Sequence, residues 1–170
     1  MKRLAMILAF IICMSGCAAP AWERVEDQVP PVPVSAKEEP YMVLVDVPQG
    51  MELVDQNAYS SLYSTQLGDF EVQTDCFYAS DMADAVKMIT GMEAETMTVL
   101  QTQRFGLPEY QFVWVTNTEQ GSRVCRGDLV MDGVNCYCVV CSAAEEQAGS
   151  FFEDVRYVFS TFGLSLDEGV

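Results

Sequence analysis

Histidine is absent from the 170 residues. Without it there is no Ser-His-Asp or Cys-His arrangement, no imidazole base near neutral pH, and no nitrogen ligand of the usual kind for zinc or copper. Positive charge is scarce as well: nine Lys and Arg stand against 25 Asp and Glu, for a net charge of −16. Binding to nucleic acid depends on cations that neutralise phosphates, so nucleic acid is excluded as a partner. No Asp-rich stretch has the D-x-D-x-D-G spacing of a calcium loop, and the carboxylates are too many and too scattered to single out a glycosidase-like pair. No cofactor is called for. Nor is there an apolar run long enough to span a bilayer, which needs about 20 residues.

What is present begins with a short apolar run. Lys2 and Arg3 precede Leu4 to Met14, and Ser15 and Gly16 lead to Cys17. A basic start, a short apolar stretch and small residues before a cut describe an export signal over 1–16. The ending Met14-Ser15-Gly16-Cys17 resembles the lipobox of bacterial lipoproteins, with Met14 where that family usually carries Leu. The resemblance implies cleavage before Cys17, which then carries diacylglycerol. A protein so anchored sits on the outer face of the cytoplasmic membrane, or on the outer membrane of a diderm. The alternative is an ordinary signal peptide cut near Cys17, Ala18 or Ala19. Removing 16 residues leaves 154, and losing Lys2 and Arg3 takes the charge from −16 to −18. That charge repels anionic headgroups, so the lipid on Cys17 would be the membrane contact.

Residues 17–40 hold five of the seven prolines (Pro20, Pro30, Pro31, Pro33 and Pro40) among acidic and polar neighbours. This composition reads as a disordered tether with an end-to-end distance on the order of 25 Å. A single domain follows over 41–166, with 167–170 a tail. Half of the chain is hydrophobic, enough for one well-filled core.

Alternation and turn chemistry predict a strand over 41–47, a hairpin of 59–65 with 70–78, a helix capped by Ser80 and stopped by Gly91, and strands over 96–105, 109–118, 122–131 and 134–141. Along 70–78, Phe70, Val72, Thr74, Cys76 and Tyr78 take one face; Glu71, Gln73 and Asp75 take the other, read as solvent. Ser142 and Glu145 suggest a capping box opening a final helix whose stripe includes Phe151, Phe152, Phe159 and Phe162. Leu164 to Val170 reads as a frayed tail. The fold class is therefore α+β, an antiparallel sheet of six to seven strands flanked by two helices. The opening 41–50 with its Pro-Gly corner, the Gly68-Asp69-Phe70 hairpin and the meander before the Phe-rich helix resemble the PsbP-like fold. That resemblance implies an α/β/α sandwich and assigns no site residue.

The remaining chemistry lies in cysteine. With Cys13 in the signal and Cys17 lipidated, Cys76, Cys125, Cys136, Cys138 and Cys141 remain, an odd number that leaves at least one thiol free or intermolecular. Cys125, Cys136, Cys138 and Cys141 form the only cluster with ligand-like spacing. An Asp132-Gly133 turn would set Cys125 opposite Val140 and Leu129 opposite Cys136, so Cys125, Cys136 and Cys138 share a face and Cys141 takes the other. A tetrathiolate site needs converging sulfurs, and with Cys141 turned away the spacing suits small thiols packed in a core better than a disulfide or a metal site. Cys138-Val139-Val140-Cys141 also has redox-motif spacing, although the β-branched pair suits a strand better than an active-site turn. Arg126-Gly127-Asp128 spells an integrin-ligand tripeptide inside a predicted strand, where chance accounts for it. The expected function is a lipid-anchored, non-enzymatic module that binds an envelope protein or a small ligand. A thiol-dependent redox enzyme and a Cys-cluster metal binder are the alternatives.

Overall fold

The computed structural model describes residues 41–165. The predicted export signal, Cys17, the predicted tether and the last five residues lie outside them. Seven strands form one antiparallel sheet in the order β2-β3-β4-β8-β7-β6-β5: β2 Glu52–Gln56, β3 Ser60–Ser64, β4 Phe70–Tyr78, β5 Val99–Arg104, β6 Leu107–Thr118, β7 Gly121–Asp132 and β8 Asn135–Ala144. A second, two-stranded sheet joins β1 Met42–Leu44 to β9 Gly163–Ser165. Two helices, α1 Met82–Thr90 and α2 Phe152–Thr161, complete the α+β fold.

β7 and β8 form the centre because their sequences are apolar on both faces, as a strand covered on both sides must be. The α1 face buries Leu129, Met131, Cys136 and Cys138 with Ala85 and Val86 of the helix. The α2 face buries Val130, Tyr137, Val139 and Cys141 with Val155, Val158 and Phe162. Each fully buried Val or Leu contributes about 1.5–3 kcal/mol relative to exposure.

The turn between β7 and β8 places Gly133 and Val134 in the loop, with Gly133 at φ 63° and Asp132 opposite Asn135. Counting from the observed turn puts Cys125 opposite Ser142 and Leu129 opposite Cys138. The predicted register is thus corrected by two residues. Because the side-chain period is also two, every face assignment is preserved. Cys125, Cys136 and Cys138 sit in the core under α1 and Cys141 in the other core.

Helix α1 starts one residue later than the sequence suggests. The Asp81 carboxylate accepts the Asp84 N–H (2.9 Å), while Asp84 accepts from the Ser80 N–H (3.0 Å) and hydroxyl (3.1 Å), a reciprocal cap with negative charge at the positive end of the helix dipole. Gly91 ends it at φ 73°, its N–H donating to the Lys87 carbonyl.

The final helix departs further from expectation. Ser142 is in β8, not a cap, and a 3-10 turn at Glu145–Gln147 separates the strand from α2. Leu164 and Ser165, the first two residues of the segment read as a frayed tail, belong to β9. β6 begins at Leu107 and includes Pro108, two residues before the predicted start at 109; the β5–β6 turn uses Phe105 (φ 57°) and Gly106 (φ 77°). β5 pairs only with Leu107 to Phe112, so the second half of β6 is a sheet edge. β2 carries no strand signal in the sequence, because all five of its residues are exposed and it lacks an apolar face.

Candidate functional site

Helix α1 covers only part of its face of the sheet. The uncovered part is a concavity of about 630 Å³, whose floor is built from β3, β4, β8, β7 and β6 and whose wall is Met88, Ile89 and Thr90 at the end of α1. Strand alternation decides what points into it. On β4 the inward residues are Glu71, Gln73 and Asp75, the set expected to face solvent. They meet Ser142 and Val140 on β8, then Cys125 and Arg123 on β7, then Trp114 and Thr116 on β6, through the cross-strand pairs Glu71–Ser142, Gln73–Val140, Cys125–Ser142 and Trp114–Cys125.

Arg123 organises one end. Its side chain is only 8% exposed, and its Nη2 lies 3.0 Å from Glu71 Oε2. Arg123 Nε donates to Ser142 Oγ (3.1 Å), Nη1 to the Gly68 carbonyl (2.8 Å) and Nη2 to the Ser142 carbonyl (3.1 Å). Ser142 Oγ in turn donates to Glu71 Oε2 at 3.1 Å. A guanidinium with fixed partners on three sides is a rigid wall.

Asp75 lies at the other end, where Gln73 Nε2 donates to its Oδ2 at 2.7 Å. Burial pushes its carboxyl above the ordinary value, opposed by hydrogen bonds from Gln73 and Ser60. Asp75 forms no ion pair among the described residues, whereas Glu71 is paired with Arg123. The charged groups therefore sum to one net negative charge. Tyr59, 64% exposed, stands at the rim; Trp114 is buried against Phe112 with ring centroids 5.5 Å apart. Amide, hydroxyl and carboxylate groups beside aromatic and aliphatic surface suit a small neutral polar molecule or an organic cation.

The cysteines predicted as a cluster are divided. Cys125 lines the concavity, Cys136 and Cys138 lie beneath α1, and Cys141 is on the far face. All four are buried free thiols, and Cys76 is half-buried. Burial pushes the Cys125 thiol up to about 11, against the opposing pull of Arg123, and the Cys136 thiol up to about 12. Burial likewise raises Cys138 and Cys141. Thiols so placed remain protonated at neutral pH and are poor nucleophiles. Among the described residues, no group of three or more Cys, Asp or Glu is placed to hold a metal ion.

A second charged cluster lies on the α2 face. Arg104 bonds Glu109 through Nε, Asp128 Oδ2 through Nη2 (3.1 Å) and the Phe162 carbonyl through Nη1 (3.0 Å), with its guanidinium 5.1 Å from the Phe162 ring centroid. Asp128 is fully buried, and its Oδ1 has no partner. Burial first, and the Glu109 charge second, raise its carboxyl to about 7 against the pull of Arg104. The cluster ties β5, β6 and β7 to the end of α2. It also places the Arg126-Gly127-Asp128 tripeptide within a strand, with its Asp inaccessible.

No protein-family model matches the chain, and no curated protein matches it in sequence. Solved structures do match. The solution structure of cyanobacterial PsbP (CyanoP) from Synechocystis sp. PCC 6803 aligns with a TM-score of 0.51 at 12% identity, over 76% of this chain and 95% of that one. The crystal structure of LpqN, involved in cell envelope biogenesis of Mycobacterium tuberculosis, gives 0.52 at 9% identity, over 77% and 87%. A crystal structure from Bacteroides thetaiotaomicron gives 0.51 at 10% identity over 75% of this chain; the match spans 46% of that longer chain. At these identities the likeness is one of fold. The described domain has a PsbP-like fold, an antiparallel sheet flanked by two helices.

Proposed function

We propose that the protein is a lipid-anchored extracytoplasmic binding module, held to the membrane through Cys17, that takes a small polar ligand into the concavity beside α1. The observation that carries this reading is the concavity itself. Its polar side chains are already fixed by internal hydrogen bonds, so little ordering would oppose binding. A neutral polyol or a small amine suits the site, with Asp75 as the acceptor. The export signal and the lipobox-like ending argue for the location, and the resemblance of the fold to CyanoP and LpqN is consistent with it. A thiol enzyme or a thiolate metal centre would need exposed or convergent sulfurs, and the buried, divided thiols favour neither.

The test is a thermal-shift screen of polyols and small amines. A ligand at one hundred times its Kd stabilises by about 2.7 kcal/mol. Amine binding should be lost in Asp75→Asn; retention of full affinity there would remove the concavity as the site. The anchor is tested in the same strain, since Cys17→Ala should abolish fatty-acid labelling and release the protein from the membrane.

A further inference from the structure

On the opposite face of the sheet, α2 leaves the β5–β6 wing uncovered. A groove of about 670 Å³ runs from α2 across this wing to Met92 and Met97 beyond the sheet edge, within the range of about 300–1,000 Å³ typical of small-molecule sites. Its floor holds Leu100, Val113 and Val115, which are 60%, 54% and 51% exposed, and its wall holds Val155 and Phe159 of α2. Three aliphatic side chains this open on adjacent strands form an apolar strip.

Two arginines line this groove, Arg126 and Arg156, and only one of them is without a carboxylate. Among the described residues, Lys87 pairs with Glu93, Arg104 with Glu109 and Asp128, Arg123 with Glu71, and Arg156 with Glu153. Arg126 has no such partner. It lines the groove with its guanidinium 5.3 Å from the centroid of the Phe152 ring. In a chain of net charge −16, an arginine without a carboxylate beside an open apolar strip marks a place where an anion is attracted rather than repelled.

We propose that this groove binds a single-chain anionic amphiphile, with its alkyl chain along Leu100, Val113 and Val115 and its carboxylate or phosphate head at Arg126. The groove shares one lining residue, Trp114, with the concavity beside α1 and otherwise has its own. A second copy of the chain is a poorer occupant, because it would bring two strongly acidic bodies together. An anionic bilayer surface is opposed by the same net charge, whereas a monomeric amphiphile brings one charge only.

The test titrates the purified full-length chain with alkyl carboxylates from octanoate to dodecanoate, using calorimetry. Affinity should rise by about fourfold for each methylene added, the equivalent of about 0.8 kcal/mol for a buried CH₂. Arg126→Gln should weaken dodecanoate at least about tenfold, the loss of one charge-assisted contact, while Arg126→Lys keeps most of the affinity. Val113→Glu, at an exposed position that folding tolerates, should also abolish binding. Unchanged affinity in Arg126→Gln would overturn the proposal, as would equal binding of dodecyltrimethylammonium. Capture by phosphatidylglycerol vesicles without any binding of free dodecanoate would overturn it too, making Arg126 a bilayer contact.

Discussion

Arg123 and Glu71, 52 residues apart in sequence, meet at 3.0 Å across β8, with the Ser142 hydroxyl bonded to both. The pair spans three strands and closes one end of the concavity. Removing Arg123 leaves a carboxylate, a hydroxyl and two carbonyls short of donors. Arg123→Ala should therefore cost on the order of 2–3 kcal/mol, toward the low side for a buried pair because the Glu71 side chain is 32% exposed. Urea denaturation of the two proteins measures it, and Arg123→Lys should recover only part of the loss because a single ammonium cannot reach all these partners.

Gly127 and Phe112 are cross-strand partners in closer contact than any other residue type at 127 would permit. A Cβ on Gly127 would lie 2.7 Å from Phe112 Cε2 and 2.8 Å from its Cζ. Gly127→Ala should destabilise by about 1–3 kcal/mol through overpacking. The double variant Gly127→Ala, Phe112→Leu should recover part of that, and a double-mutant cycle would read the coupling directly.

Asp128 predicts an unusual pH dependence. Its folded-state carboxyl is raised from 3.8 to about 7, by burial first and by Glu109 second. Between those values the folded protein holds a proton that the unfolded chain has released. Its contribution to stability is therefore present in full below pH 4 and declines as pH rises toward and through 7, by up to about 1.4 kcal/mol per pH unit. Asp128→Asn should lack this decline. The readout is the difference in unfolding free energy between the two proteins from pH 4 to 8; a constant difference would refute the assignment.

Thiol accessibility gives a fourth outcome. Among the described cysteines, Cys76 is the one that is not fully buried. Native alkylation at neutral pH should modify Cys76 first and Cys125, Cys136, Cys138 and Cys141 only on unfolding, with peptide mass spectrometry locating the adducts.

Much of the fold was legible where a local signal coincided with burial. β4 runs over the residues its alternation predicts, from Phe70 to Tyr78, and Gly91 stops α1 as expected. Asp132-Gly133 marks the β7–β8 hairpin to within one residue of its observed turn, and the two-residue shift in register leaves the division of the cysteines intact. The failures share a physical cause. Ser142 and Glu145 have the spacing of a helix cap, but pairing with β4 and β7 extends the strand through Ser142. Tertiary pairing overrode a local motif. The candidate site was hidden for a related reason. Glu71, Gln73 and Asp75 alternate as a solvent-facing set would, and only the β4–β8 and β7–β8 pairings bring them to Ser142, Arg123 and Cys125. A polar set on β4 together with Ser142, which interrupts the run from Cys136 to Ala144 on β8, is the available clue.

The pairing of β1 with β9 has a mechanical consequence. These short strands join the beginning and end of the described domain, Met42 opposite Ser165 and Leu44 opposite Gly163. Tyr41, just before them, is moored by its own N–H to the hydroxyl of the fully buried Tyr137 at 3.1 Å. Tension applied at residue 41 is divided between this three-residue clasp and Tyr137 of β8, at the centre of the seven-stranded sheet. Because Val43 and Leu164 of the clasp also pack on the α2-side core, the two ends of the domain are fastened to the same layer that holds the sheet.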